Sequence, residues 1–249
     1  MQELTKNYRL QNPTELAAAQ SLSGGDAGQA LDHIHRAGSL VIADRRPDLV
    51  ETLVSDWHAS HRDGSAALML APTRMDVAEL NAQARHLLRA KGELGEDLLA
   101  VGETTFAEGD VVIGHKNNYR AGLLNGDRGV VVGLADDGLR IKLDDGKAVT
   151  ASSDYLAEGH LGHGYAMTVF KAQGITVDHA YLLGDEGLFK ETGYVGLTRG
   201  RQENRFYSVV SRDELGNQRD DRLADVRFAL DQSRAREAAI DFPNQMKGM

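Results

Sequence analysis

Cysteine is missing from the 249-residue chain, which removes disulfides and thiolate metal sites and fits a reducing compartment. Long apolar runs are missing too. No stretch approaches the ~20 residues of a membrane-spanning helix, and charges interrupt every apolar run near the start, where a signal peptide would lie. The expected location is therefore cytoplasmic, with no membrane partner. Positive charge is in short supply: 28 Lys and Arg stand against 37 Asp and Glu, a formal net charge of -9. Non-specific affinity for nucleic acid comes from neutralising phosphates with Lys and Arg, so strong nucleic-acid binding by this chain alone is not expected. A phosphate-binding loop is also lacking. No G-x-x-x-x-G-K-[ST] occurs, and G-G-D-A-G at residues 24–28 is too short and lacks the G-K-[ST] ending.

The chain has the composition of a globular domain, with 41% hydrophobic and 26% charged residues, and it is long enough to bury one large core or two small ones. Helical spacing predicts helices over Pro13 to Leu22, Asp26 to Arg36 and Asp48 to Ser60. The third carries a stripe of Leu49, Val50, Leu53, Val54 and Trp57 and assigns Trp57 to the core. Ser39 to Ala43 reads as a short strand. The continuous apolar run Ala66 to Ala71 reads as a central parallel strand feeding a helix from Met75 to Lys91. Thr73, between them, is either a helix N-cap or a phosphate contact at the carboxyl end of a strand, with Arg74 beside it. Asn81 reads as a structural hydrogen-bonder.

From about Leu94 the pattern changes to short alternating strands at Asp110 to Gly114, Arg128 to Leu134, Leu139 to Leu143 and Lys147 to Ala151, separated by N-G-D, D-D-G and D-D-G turns. These predict a small β-barrel. The run G-H-L-G-H-G reads as a hinge in which His160 and His163 have no carboxylate or thiol nearby, so no metal site is expected. A buried strand over His179 to Gly184, a helix over Leu188 to Leu197 and a strand over Phe206 to Val210 follow. Residues 211–249 read as a charged amphipathic helix and tail.

Two polar clusters flank the strand at His179. Thr168, Lys171, Gln173, Gly174, Thr176 and Asp178 have the composition of a ligand-contact loop: a glycine that lets backbone approach, hydrogen-bonding side chains and a cation. Arg199 and Arg201 beside Gly200 suit an anion. T-V-F-K-A-Q-G-I-T-V-D resembles motif V of superfamily 1 helicases and Y-V-G-L-T-R-G-R resembles motif VI, in the RecD-like form found in conjugative relaxase-helicases of the TraA/TraI type. Phe170 departs from that form, which usually has His there. L-T-K-N-Y-R, ending at Arg9, resembles motif IV, and residues 109–132 resemble the family's SH3-like insertion, where Lys116, Asn118 and Arg120 are candidate contacts.

The resemblance implies a RecA-like parallel α/β lobe over residues 1–92 and 159–210, an SH3-like barrel inserted at 93–158, and a C-terminal helix and tail at 211–249. It implies the second motor lobe of a 5′ to 3′ DNA helicase. Arg9, Arg199, Arg201, Gln173 and Gly174 would face ATP with Mg²⁺, held jointly with a first motor lobe, and Arg9 and Arg199 would act in catalysis. Thr73, Thr168, Lys171 and Thr176 would hold single-stranded DNA. A relaxase domain is a further expected neighbour in a longer parent protein. A rival reading from the residues is a non-catalytic nucleic-acid or protein binding module that carries vestigial motifs. Phe170 and the acidic charge favour that reading, while Arg9, Gln173, Gly174 and Arg199 favour the motor.

Overall fold

The computed structural model describes residues 10, 12–185, 187–213 and 215–234. The motif around Arg9 lies outside the described residues. Helix α1 (Pro13–Gly24) starts where Asn12 Oδ1 accepts from Thr14 N at 2.9 Å with Pro13 in the first turn, and it ends at Gly25, whose φ of 87° stops the helix. Asp26 caps α2 (Ala27–Arg36) through Gln29 N. Strand β1 (Leu40–Ala43), helix α3 (Arg46–Arg62), strand β2 (Ala67–Ala71) and helix α4 (Arg74–Ala90) follow. Next come β3 (Asp97–Val101), β4 (Thr104–Ala107), β5 (Val111–Gly114), β6 (Arg128–Ala135), β7 (Gly138–Leu143), β8 (Ala148–Ala151), α5 (Ser153–Ala157) and β9 (Leu161–His163). The chain continues through β10 (Ala166–Thr168), β11 (Val177–Gly184), α6 (Lys190–Gly196), β12 (Gly200–Val209) and α7 (Ala224–Asp231).

These elements form two compact units, Met1–Val77 with Met167–Met249, and Ala78–Ala166. The first unit is built on a five-stranded sheet in the order β1-β12-β11-β2-β10, in which β1, β12, β11 and β2 pair in parallel. Parallel strands need buried faces. Accordingly all of β2 is buried, and Leu22, Leu49, Leu53, Trp57, Tyr181, Phe206 and Tyr207 pack with under 2% exposure. Trp57 is a core residue as its spacing predicts, with Nε1 donating to Ala67 O at 3.4 Å and its ring stacked on His61.

The second unit holds an antiparallel sheet, β8-β7-β6-β5-β9, with a β3-β4 hairpin. Its core gathers Phe106, Val112, Leu123, Val131, Leu139, Ile141, Tyr155 and Leu161. A polar centre lies beneath it. Asp110 has no exposed surface and accepts from Arg85 Nε, from Tyr165 Oη at 2.5 Å and from Ala107 N at 2.6 Å. Asn81 is the structural residue its sequence suggests, exchanging hydrogen bonds with the Ala166 backbone.

Three sequence expectations are corrected. The G-H-L-G-H-G run is not a hinge: Leu161–His163 is strand β9, paired with β5. Both histidines have carboxylates nearby, His160 at 2.7 Å from Glu158 and His163 at 3.8 Å from Asp110. Strand β12 begins at Gly200 rather than Phe206. Downstream of β12 the described residues contain only the short helix α7, and Asp213 instead organises a turn by accepting from Leu215 N and Asn217 N. Among the described residues no helix is long and apolar enough to cross a membrane.

Candidate functional site

The polar loop between β10 and β11 is a single tight turn. Ala172 N donates to Thr168 O, Gln173 N to Phe170 O and Ile175 N to Ala172 O, all at 3.1–3.2 Å. Lys171 N donates to Thr168 Oγ1 at 3.3 Å, so the hydroxyl steadies the turn from inside. Gly174 closes it with a φ of 87°, in the left-handed region that side chains rarely enter. Phe170, Lys171, Gln173 and Gly174 are exposed, and Thr168 and Thr176 are half-buried. Phe170 leans toward Phe189, with ring centroids 6.0 Å apart.

One flank of this loop lies at the carboxyl edge of the parallel sheet. Val169 N donates to Ala71 O at 3.1 Å, which sets the end of β10 beside the end of β2 and brings Thr168 and Thr73 to neighbouring strand ends. Partial burial and the charge of Arg74 push Lys171 below the usual lysine range, so two cations share this edge. Thr73 is the N-cap of α4. Its Oγ1 donates to Asp76 Oδ2 at 2.5 Å and accepts from Asp76 N at 3.2 Å, and its own N donates to Asp76 Oδ2 at 3.3 Å. Asp76 in turn meets Arg46 Nη2 at 2.5 Å. Asp185, at the end of β11, stands near the same arginine, and burial together with the charge of Asp76 raises its pKa.

The other flank is gripped by Arg199. This residue follows α6 and is buried, with 6% exposure. Its Nε donates to Val195 O at 2.8 Å, Nη2 to Thr198 Oγ1 at 3.0 Å, and Nη1 to Ala172 O and Ile175 O at 3.4 and 3.3 Å. The guanidinium thus ties the end of α6 to the backbone of the turn that carries Lys171 and Gln173. Arg201 is oriented differently. It is exposed and donates to Asp178 Oδ1 at 3.1 Å, while Asp178 Oδ2 accepts from Ala66 N.

The geometry therefore brings Thr73, Thr168 and Lys171 to one edge and joins Arg199 to the same loop from behind. Gln173 and Gly174 sit at the tip. Among the described residues no group of three or more His, Asp or Glu is placed to hold a metal ion. Sequence reading missed Asp76, Thr198, Glu15 and Asn204 as members of this neighbourhood. The T-x-x-D spacing of Thr73 and Asp76 is a readable capping signal and Thr198 adjoins Arg199 within the motif itself, whereas Glu15 and Asn204 meet across 189 positions and leave no local pattern.

No protein-family model matches the chain. The conjugal transfer protein TraA of Rhizobium radiobacter is 33% identical over 212 residues, 82% of this chain and 19% of TraA. The ATP-dependent RecD2 DNA helicase of Deinococcus radiodurans is 32% identical over 151 residues, 59% of this chain and 20% of that protein. The chain thus spans about a fifth of the length of these relatives. Among solved structures, a Bacteroides Pif1 helicase in complex with ADP-AlF3 and single-stranded DNA superposes over 98% of this chain and 56% of its own, with a TM-score of 0.54 and 17% identity. That likeness concerns the fold.

Proposed function

We propose that this chain, which is homologous to the TraA conjugal transfer proteins and to RecD2, is the second motor lobe of an ATP-dependent DNA helicase of superfamily 1. In this reading the motor moves 5′ to 3′ on single-stranded DNA in the cytoplasm, beside a relaxase domain of the same parent protein. Residues 93–158 are its SH3-like insertion, which the antiparallel β5–β8 strands favour.

The observation that carries the reading is the double use of the turn at 168–176. Its outer flank presents Lys171 and Thr168, with Thr73 and Thr176 bordering, and its backbone carbonyls hold Arg199. A strand phosphate on Lys171 and a nucleotide phosphate calling on Arg199 would then act on one loop. Gln173 and Gly174 at its tip carry the movement between them. Both donors of Thr73 are engaged by Asp76, so the phosphate contact falls mainly to Lys171 and Thr168.

ATP bound with Mg²⁺ would supply the phosphoryl-transfer chemistry. In this reading the phosphate cradle, whose motif this sequence does not contain, and the Mg²⁺ ligands would be supplied by a first lobe. This chain's own contribution is cationic. On nucleotide binding Arg199 would leave the turn carbonyls for the γ-phosphate and take up charge that develops in the transition state, and Arg9 and Arg201 would add positive charge to the same task.

Steady-state ATPase assays test this. The isolated chain should not hydrolyse ATP. Joined to the first motor lobe it should become a DNA-stimulated ATPase, and Arg199→Ala should lower turnover by roughly 10³-fold while nucleotide binding persists. Hydrolysis by the isolated chain, or normal turnover in the Arg199→Ala protein, would sink the assignment. A joined protein that binds DNA without any ATPase would favour the binding-module reading.

A further inference from the structure

The backbone around Arg199 is fixed on one side from the motif V stretch and on the other by Asn204, which lies outside the helicase-like motifs. The carbonyl of Arg199 accepts from Val177 N at 3.0 Å. The next residue, Gly200, is held from both ends by one side chain: its N donates to Asn204 Oδ1 at 2.8 Å, and Asn204 Nδ2 donates to its carbonyl at 3.0 Å. The intervening chain bulges outward, because the register steps from Val177 opposite Gly200 to His179 opposite Glu203. This closure leaves no space at Gly200. A Cβ there would stand 2.1 Å from Glu203 O and 3.0 Å from Asn204 Oδ1.

Asn204 is itself fixed from α1. It is 3% exposed; its N donates to Glu15 Oε1 at 3.2 Å and its Nδ2 to Glu15 Oε2 at 2.7 Å. Both amide protons of Asn204 are thereby used, one on Gly200 O and one on Glu15, and this defines the amide orientation. Glu15 is 6% exposed, and burial raises its pKa against the pull of the two Asn204 donors. Holding a carboxylate in such a place is costly unless its bonds are made, so packing alone does not explain the choice of Glu.

We infer that Glu15 and Asn204 are positioning residues for Arg199: they lock the Gly200 peptide and so set the direction from which the Arg199 side chain leaves the backbone. The inference rests on the nucleotide-facing role proposed for Arg199. It adds that this role depends on a buried Glu-Asn pair reaching from α1. The main consequence is a division of labour in which Arg199 meets the nucleotide and Glu15 and Asn204 never do.

Two measurements test it separately. In the isolated 249-residue chain, the Arg199 Nε–H signal, identified by its loss in Arg199→Lys, should exchange slowly because it donates to Val195 O. Asn204→Ala should speed that exchange by roughly tenfold or more through local opening. Glu15→Gln should do so less. Glu15→Gln with Asn204→Asp keeps an acceptor for the Gly200 N–H but sets a carboxylate oxygen where Asn204 Nδ2 donates to the Gly200 carbonyl, so this pair should stay fast. If Asn204→Ala does not fold, Glu15→Gln, which keeps side-chain volume, takes its place in the comparison. Unchanged Arg199 exchange in the folded variant, or slow exchange in the Glu15→Gln with Asn204→Asp pair, overturns the inference.

In the protein joined to its first lobe, Asn204→Ala should lower kcat by roughly 10- to 100-fold, the scale of a misplaced catalytic group, with little change in KM for ATP. The Glu15→Gln with Asn204→Asp pair should not recover it. An equal change in kcat and KM, or none, would count against positioning. Should the joined wild-type protein show no ATPase, the functional reading of Arg199 fails, and the exchange experiment still decides whether Glu15 and Asn204 fix it.

Discussion

Asp110 is buried among the side chains of Arg85 and Tyr165 and the Ala107 N–H, all of which donate to it. Burial alone would raise its pKa, but the His163 ring 3.8 Å away and hydrogen bonds from the Tyr165 hydroxyl and the Ala107 N–H outweigh burial and hold it below the ordinary aspartate range. Its charge helps burial push the Tyr165 phenol far above the usual tyrosine range. Removing one partner of such a buried set strands the others, so Asp110→Ala should cost about 3–5 kcal/mol in denaturant unfolding. The pH dependence follows from the direction of the shift. A carboxyl with a lowered folded pKa contributes stability above its unfolded value, here 3.8, and loses it as pH falls through the folded value. Wild-type stability should therefore decline below about pH 4 more steeply than that of Asp110→Asn. Parallel acid profiles would refute the ionised assignment.

Among the elements, the turn between β10 and β11 and the start of β12 both depend on glycine, for different reasons. Gly174 has a φ of 87° and open space for 4 Å around the point where a Cβ would stand, so Gly174→Ala should cost only the left-handed backbone term, about 1–2 kcal/mol. Gly200 has an ordinary φ but no room, so Gly200→Ala should cost more and disturb the Arg199 signals as well. Equal losses in unfolding experiments would contradict this distinction. The difference also marks what the sequence could reveal. The glycine in K-A-Q-G-I is legible as a turn, and the run A-L-M-L-A is legible as a buried strand because apolar continuity needs no knowledge of partners. The D-D-G turns likewise placed β6, β7 and β8. Strand β9 was not readable, since its three residues acquire strand character only by pairing with β5, about fifty positions earlier. The polar opening of β12, G-R-Q-E-N, hid its strand for a related reason: Asn204 and Glu15 shape it through contacts across 189 positions. In the candidate site, the side chains of the turn were legible, while the carbonyls of Ala172 and Ile175 that receive Arg199 were not.

At the scale of the whole molecule the sign of the charge sets the terms of any encounter with DNA. A net charge of -9 opposes a polyanion, and one place where cations gather is the sheet edge where Lys171 stands in the field of Arg74. Two like charges held together are relieved by an anion between them, which suits a strand phosphate. Lys171 is exposed and so remains accessible to one. If these two cations supply the contacts, the isolated chain should bind single-stranded DNA weakly, and log K should fall with log salt at a slope of about -1.4, near -0.7 per phosphate. Lys171→Ala should bring the slope to about -0.7 and weaken binding across all sequences alike. Fluorescence anisotropy over a salt series reads both quantities. A slope unchanged by Lys171→Ala would remove that residue from the DNA path, and a much steeper wild-type slope would require cations elsewhere on this acidic chain.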